Sequence, residues 1–129
     1  MTAGSTTLHE EKQALDPKTI DRHRAIVSIM EELEAVDWYA QRADATGDAA
    51  LQAVLEHNRD EEKEHAAMTL EWLRRNDAVL DKHLRTYLFT EGDIIAIEEA
   101  DTDGGDGGGA EAGNEGSLGI GSLREGSGA

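Results

Sequence analysis

The sequence predicts an all-α protein built on an antiparallel pair of long helices, with a short helix on the C-terminal side of this pair. Three observations favour this class. No glycine or proline falls within 18–46 or within 48–76, so two long segments are free of helix breakers. Apolar residues recur along both segments at the spacing of a helix face, and no alternating run predicts a strand. Only a short connection lies between the segments, which favours an antiparallel hairpin.

The first helix has a clear start and a clear end. Asp16 precedes Pro17, which gives an N-cap acceptor followed by a proline at the first helical position. From there the helix is expected to run to about Thr46. Gly47 suits a C-terminal stop, because glycine adopts the left-handed backbone conformation that ends many helices.

The later elements follow from the same kinds of signal. Asp48 can cap a second helix that runs to about Asn76. A third, weaker helical segment covers 78–89. Gly92 and the residue after it break that segment, and 94–100 forms a last turn or two.

The composition excludes several functional classes. The 129 residues include 28 acidic and 12 basic side chains, which gives a formal net charge of -16. Such a chain repels a phosphate backbone and concentrates cations around itself. Because it has no cysteine, disulfides, zinc-thiolate sites and thiol nucleophiles are absent. No apolar run approaches a membrane span and no signal-peptide core is present, so we expect a cytoplasmic protein.

The chain divides by composition. Eleven of the 14 glycines lie between Gly104 and Gly128, in a region too rich in glycine to repay its ordering entropy. Within it, Leu118, Ile120 and Leu123 indicate either a short docking peptide or a frayed end. The predicted divisions are a flexible N-terminus over 1–15, a helical domain over 16–100, an acidic glycine-rich linker over 101–116, a segment with these apolar residues over 117–124 and a disordered end over 125–129.

A carboxylate and an imidazole interrupt the apolar stripe of the second helix. On a wheel with about 100° per residue, Glu62 lies in line with the apolar residues and His65 lies beside it. Most other charges of the run 60–65 lie on the opposite side, as expected for a solvated face. Burying a carboxylate without a partner costs several kcal/mol, so something must pair with Glu62. The Glu-x-x-His spacing puts both groups one turn apart, as in a pair of side chains that bind one metal ion. The pair Glu62 and His65 is called the claw.

The first helix carries two candidates on the side of its main apolar stripe. Glu32 lies at the edge of the main apolar stripe, with Tyr39 two turns on, and is positioned to face the claw of the second helix. Glu32 is alternatively an edge carboxylate paired with an arginine, and Tyr39 a core tyrosine with its hydroxyl at the rim. The functional interpretation of Tyr39 is a hydrogen-bond donor to a ligand carboxylate.

A separate face of the first helix carries Val27, Glu31, Glu34 and Trp38. The apolar members indicate a second protein–protein contact. Glu31 and Glu34 add either a weaker metal site between subunits or ordinary surface carboxylates beside an interface tryptophan.

The donor set indicates the metal and the number of chains. Carboxylates with one imidazole suit iron or manganese. Four-helix di-iron proteins of the ferritin-like class use one Glu from each of two helices and a Glu-x-x-His from each of the other two. This chain has one of each, so two copies related by a twofold axis would complete both the bundle and the site.

Several segments resemble the encapsulated ferritin family. The resemblance rests on the stretches 23–27, 30–39, 57–75 and 84–89, covers roughly 18–100, and shows no substitution at the motif positions. The segment Ser117-Leu118-Gly119-Ile120-Gly121-Ser122-Leu123-Arg124 is similar to the peptide that directs cargo into encapsulin shells.

The resemblance implies a ferroxidase with a di-iron centre shared between two chains. It implies that Glu32, Glu62 and His65 bind Fe2+/Fe3+ with Tyr39 close by, while Glu31 and Glu34 form a peripheral metal site beside Trp38, which is not a ligand. It further implies a homodimer, a ring-shaped decamer of five dimers, and iron delivery for mineral storage inside an encapsulin shell in the cytoplasm. The alternatives are a metal-binding cargo or adaptor bundle without turnover, and a purely structural helical module.

Overall fold

Two long helices make up most of the chain that the computed structural model describes, which is residues 7–103. The elements are a short 3-10 helix over Lys12–Ala14, α1 over Pro17–Ala45, α2 over Ala49–Arg75, α3 over Ala78–Tyr87 and α4 over Ile94–Asp103. No strand occurs in this part of the chain, which confirms the predicted all-α class. The short 3-10 helix lies within the N-terminal segment that the sequence predicts to be flexible.

The predicted caps begin both long helices. The Asp16 side chain accepts a hydrogen bond of 2.9 Å from the backbone N–H of Lys18, and Pro17 occupies the first helical position. Asp48 accepts a hydrogen bond of 2.9 Å from the backbone N–H of Leu51. α1 ends at Ala45, where Thr46 turns into an extended conformation, so the helix ends before Gly47 and not through a left-handed glycine.

The two long helices pack against each other as an antiparallel hairpin. Only three residues, 46–48, connect them. At the far end, Nε of Arg22 donates a hydrogen bond of 2.8 Å to the backbone carbonyl of Asn76 and joins the start of α1 to the end of α2. Counting from the turn, Glu32 lies 15 residues before Gly47 and Glu62 lies 15 residues after it. Since both helices rise by the same amount per residue, these two glutamates are at the same level.

The hairpin buries very little apolar surface. The buried apolar residues of the described chain are Ala25, Ala43, Ala66 and Leu73. Three of these are alanines, which let the helix axes approach closely. The stripes predicted from the sequence are wider than this contact, because Leu33 is 54% exposed and Leu51 is 47% exposed. Two helices bury only the lines that face each other, and the edges of each stripe stay in water.

The described chain divides into two compact units, 7–77 and 78–103, and α3 contacts α4 within the second. α3 ends two residues earlier than predicted, because Phe89 has a left-handed backbone with φ of 65° that a helix cannot continue. α4 runs three residues further than predicted, from Ile94 to Asp103, because no glycine or proline interrupts it.

The predicted division over 16–100 remains a prediction, and residues 104–116 of the linker, with the segments 117–124 and 125–129, lie outside the described residues. Among the described helices, none combines the length and the apolar character that a membrane crossing requires.

An arginine pair near the end of α2 holds the carboxylate of Glu71. Nε and Nη2 of Arg74 donate hydrogen bonds of 2.8 Å each, and Nε of Arg75 donates one of 2.6 Å. These bonds favour the charged form, and the Arg74 hydrogen bonds lower the pKa of Glu71 to about 2, from its ordinary 4.5. The pairing stabilises the end of the helix that lies beside the start of α1.

This pairing predicts a pH-dependent contribution to stability. Because the folded-state pKa is depressed, the contribution is present above pH 4.5 and is lost as the pH falls toward 2. We expect Glu71→Gln to lower the free energy of unfolding at pH 7 by less than about 1 kcal/mol, since the side chain is partly exposed. Urea unfolding followed by circular dichroism at fixed protein concentration measures this difference, which should shrink steadily on acidification. Glu64→Gln, an exposed change on the same helix, is the control, and an equal effect of the two variants would contradict the prediction.

Candidate metal centre

The spacing of Glu62 and His65 brings their side chains together on α2. Nδ1 of His65 lies 3.5 Å from Oε1 of Glu62. The Glu62 side chain is 27% exposed and that of His65 is 48% exposed, so the pair lies at the border between the helix contact and solvent. Ala66, the next residue, is buried against α1. The claw therefore opens from the edge of the hairpin, where a group from outside this chain can reach it.

Glu32 is the unusual carboxylate of the hairpin. Its Oε1 is shielded from solvent and accepts no hydrogen bond, a combination found at no other side-chain oxygen or nitrogen of the described residues. An arginine partner, the alternative considered from the sequence, does not reach this atom. A buried oxygen without a donor costs about 1–3 kcal/mol, so its presence calls for an explanation such as a bound cation.

The three predicted ligands do not form a complete site within one chain. Glu32 lies at the level of Glu62, on the neighbouring helix, and Glu62 contacts His65. Within residues 7–103, however, no three histidine, aspartate or glutamate side chains come close enough to hold a metal ion. One chain thus supplies a claw of two residues and a separate carboxylate.

Tyr39 is half-buried on α1 and lies two turns after Glu32. The structure gives its hydroxyl no hydrogen bond to a described residue. Its ring instead lies 5.9 Å from the guanidinium carbon of Arg42. The contact with Arg42 was not predicted from the sequence, although the spacing of three residues on one helix would have indicated it.

The second cluster of α1 lies in solvent. Glu31 and Glu34 are exposed, and Trp38 is 48% exposed. Neither carboxylate forms an ion pair with any residue in the described part of the chain. A large exposed indole beside two unpaired carboxylates fits both interpretations of this cluster, a peripheral metal site or a polar border of a contact surface.

The remaining charges of the acidic run on α2 are ordinary surface groups. Oδ1 of Asp60 lies 2.9 Å from Nε of Arg59 and 3.4 Å from Nζ of Lys63. The hydrogen bond from Arg59 lowers the pKa of the Asp60 carboxyl. The expected separation is confirmed for Asp60 and Lys63, which are exposed, and for Glu62, which is half-buried. His65, expected on the same apolar side as Glu62, is exposed, because two helices cover only the line along which they meet.

Comparison with known proteins gives consistent matches over the helical part of the chain. A family model described as EncFtn-like matches residues 7–91. An encapsulated ferritin-like protein of Rhodospirillum rubrum is 66% identical over 129 residues, covering 96% of this chain and 92% of that protein. An encapsulin nanocompartment cargo protein of Myxococcus xanthus is 35% identical over 104 residues, covering 76% of this chain and 80% of that protein.

A solved structure supports the fold independently. A crystal structure of a protein from Nitrosomonas europaea superposes with a TM-score of 0.66 at 59% sequence identity. The superposition covers 67% of this chain and 96% of that one. The all-helical architecture described above is therefore shared with an experimentally determined relative.

The unpaired oxygen of Glu32 predicts that this residue is unfavourable for stability when no metal is present. We expect Glu32→Leu to raise the free energy of unfolding of the chelator-treated protein by about 1 kcal/mol, because it removes a buried acceptor that lacks a donor. Urea unfolding with excess chelator, at one fixed protein concentration, measures the change.

Glu34→Leu is the matched control, since it makes the same substitution at an exposed carboxylate of the same helix. Its effect should stay within about 0.5 kcal/mol. A Glu32→Leu protein less stable than wild type would mean that the carboxylate has a favourable partner in the metal-free state.

Proposed function

Because the chain belongs to the EncFtn-like family, we propose that it is a ferroxidase that oxidises Fe2+ to Fe3+ with dioxygen at a site shared between two copies of the chain. Iron is the substrate, and the oxidised product is delivered for mineral storage. The observation that supports this most directly is the unpaired, buried Oε1 of Glu32 at the level of the Glu62 and His65 pair. A buried anionic oxygen of this kind is suited to a cation that arrives and leaves.

The donor set fits iron. Carboxylate oxygens and an imidazole nitrogen are hard-to-borderline ligands, which iron and manganese accept. Glu62 and His65 would bind from α2, and Glu32 would bind from α1. In this arrangement the imidazole must be neutral and the carboxylates ionised, so uptake of iron releases any protons that these groups carry.

A second copy of the chain would complete both the site and the core. Related four-helix sites need two carboxylates from two helices and two Glu-x-x-His pairs from two others. One chain supplies one of each, and a twofold axis would supply the rest. Large apolar side chains on the same side of α2 as His65 support the same conclusion, since Val54 is 55% exposed, Met68 is 64% exposed and Trp72 is 40% exposed. Each is at helical spacing from His65 or from another member of this set.

The chain's own groups would bring the substrate in and hold it. The net charge of -16 draws Fe2+ toward the protein over a range set by ionic strength. Glu31 and Glu34, with Trp38 beside them, would form a peripheral site that holds iron at the surface. Glu32, Glu62 and His65 of both chains would then bind two ions, whose electrons dioxygen accepts. The Tyr39 hydroxyl would donate a hydrogen bond to a ligand carboxylate and keep that ligand oriented.

The remaining assignments come from the resemblance and from the names of the relatives. We propose that the chain is cargo of an encapsulin shell, to which it binds through the segment 117–124. It would assemble as a homodimer and further as a ring-shaped decamer, within a nanocompartment in the cytoplasm. The alternative function is a non-enzymatic metal-binding cargo or adaptor bundle with the same ligands.

Loss of the claw should abolish oxidation. We expect Glu62→Ala and His65→Ala each to lower the rate of Fe2+ oxidation to that of iron without protein, because each removes a ligand from both halves of a symmetric site. Oxygen consumption and ferric absorbance after addition of Fe2+ measure the rate. Glu64→Ala, a neighbouring exposed glutamate, should keep the wild-type rate and is the control. Wild-type rates in both claw variants would reject the site, and iron binding without oxygen uptake by the wild type would favour the sequestering alternative.

Metal and dimerisation should be coupled. Without iron, two sets of carboxylates would face one another without counter-charge, which opposes association. We expect Fe2+ under anaerobic conditions to shift the sedimentation profile of the wild type toward larger species, and Glu62→Ala to remove this shift. Identical profiles with and without metal would instead support a purely structural helical module.

A further inference from the structure

We propose that Arg42 is a positioning residue for the metal centre: its guanidinium, held over the rings of Trp38 and Tyr39, fixes the Tyr39 side chain beside Glu32. The inference rests on the proposed ferroxidase function, and it adds a residue that contacts neither metal nor dioxygen. Three features of the structure carry it: the geometry of the contact, the exceptional environment of this arginine, and the direction in which the tyrosine side chain extends.

The guanidinium carbon of Arg42 lies close to two aromatic rings at once. It is 5.8 Å from the centroid of Trp38 and 5.9 Å from that of Tyr39. Both distances are within the range of about 6 Å in which a cation is attracted to the face of a ring. Trp38, Tyr39 and Arg42 are at i, i+1 and i+4 on α1, so the one arginine side chain can reach both rings. One cation therefore links the indole of the predicted peripheral site to the phenol of the predicted central site.

Arg42 differs from the other described arginines. Each of those donates a hydrogen bond to an oxygen, either a carboxylate or, for one of them, a backbone carbonyl; they are Arg22, Arg24, Arg59, Arg74, Arg75 and Arg85. In a chain with 28 acidic residues, a guanidinium that contacts rings rather than a carboxylate of the described chain is unexpected. Its neighbour Gln41, by contrast, donates a hydrogen bond of 3.1 Å to Oδ2 of Asp37.

The position of Tyr39 explains what this contact would achieve. Side chains on a helix lean toward its N-terminus, so we expect the phenol of Tyr39 to extend back along α1 in the direction of Glu32. Trp38, Gln41 and Arg42 line a shallow cavity of about 260 Å³ at the surface of this part of α1. The contact with Arg42 restricts the Tyr39 ring, and this lowers the entropy that a hydrogen bond from Tyr39 to a ligand would cost.

A simpler role for Arg42 is to stabilise the end of α1, since a cation in the last turn interacts favourably with the helix dipole. The two roles make different predictions. A helix-end charge acts on the stability of α1 whether or not the phenol of Tyr39 is present. A positioning residue acts through Tyr39, so its effect on turnover disappears when the hydroxyl is removed.

The test is a double-mutant cycle on the full chain. We expect Arg42→Met to lower kcat for Fe2+ oxidation about two- to fivefold with KM unchanged, the size of a single exposed cation–π contact. Combined with Tyr39→Phe, it should cause no loss beyond that of Tyr39→Phe alone. Arg42→Lys keeps the cation and should retain most of the wild-type kcat. Arg75→Met removes an arginine from the last turn of α2 and should leave kcat unchanged.

A second readout needs no iron. Near-ultraviolet circular dichroism of the chelator-treated protein, in a Trp72→Phe background that leaves Trp38 as the only tryptophan, reports how firmly the rings are held. Arg42→Met should weaken this band, while Arg42→Lys and Arg75→Met should preserve it.

The outcomes separate the two proposals. An unchanged near-ultraviolet band in Arg42→Met, or an equal further loss of kcat in the Tyr39→Phe background, would overturn the role of Arg42. If the wild type does not oxidise Fe2+, the ferroxidase proposal fails, and the circular dichroism comparison still decides whether Arg42 holds the two rings.

Discussion

A carboxylate oxygen shielded from water without a donor is the constraint on which the organisation of this molecule depends. Oε1 of Glu32 is in that position, at the level where α2 presents Glu62 and His65. A chain selected only for stability would place an apolar residue there or supply a donor. The hairpin keeps the carboxylate and offers no cation of its own, so the favourable partner has to come from solution or from another chain.

The apolar core of the hairpin is incomplete, as its ligand set is. Ala25, Ala43, Ala66 and Leu73 are the buried apolar set of the described chain, and this is a small core for two helices of 29 and 27 residues. Larger side chains remain at the surface, among them Met68 and Trp72 near the claw. The proposed association with a second chain would complete both the core and the ligand set on one edge of the hairpin. Folding, assembly and metal binding would then share one source of free energy.

The sequence predicts the helices closely because their signals are local. The Asp16 and Asp48 caps and the spacing of Glu62 and His65 depend on residues within a turn of each other, and the structure confirms all of them. Boundaries set by backbone conformation were less accurate, as at Phe89, where a left-handed residue ends α3 early. The sequence also missed Arg42, because an arginine in an acidic chain is expected to pair with a carboxylate. The unpaired state of Glu32 depends on packing between helices, and periodicity alone does not predict it.

The hairpin connection of only three residues has a consequence for where such a protein can operate. So short a loop keeps α1 and α2 packed against each other, so the proposed four-helix bundle would have to be completed by a second chain. A catalyst completed in this way would lose activity on dilution, and its rate would rise more steeply than its concentration. Confinement of many copies in a small volume would keep the local concentration high and make the oxidation rate independent of how much protein the rest of the cell contains.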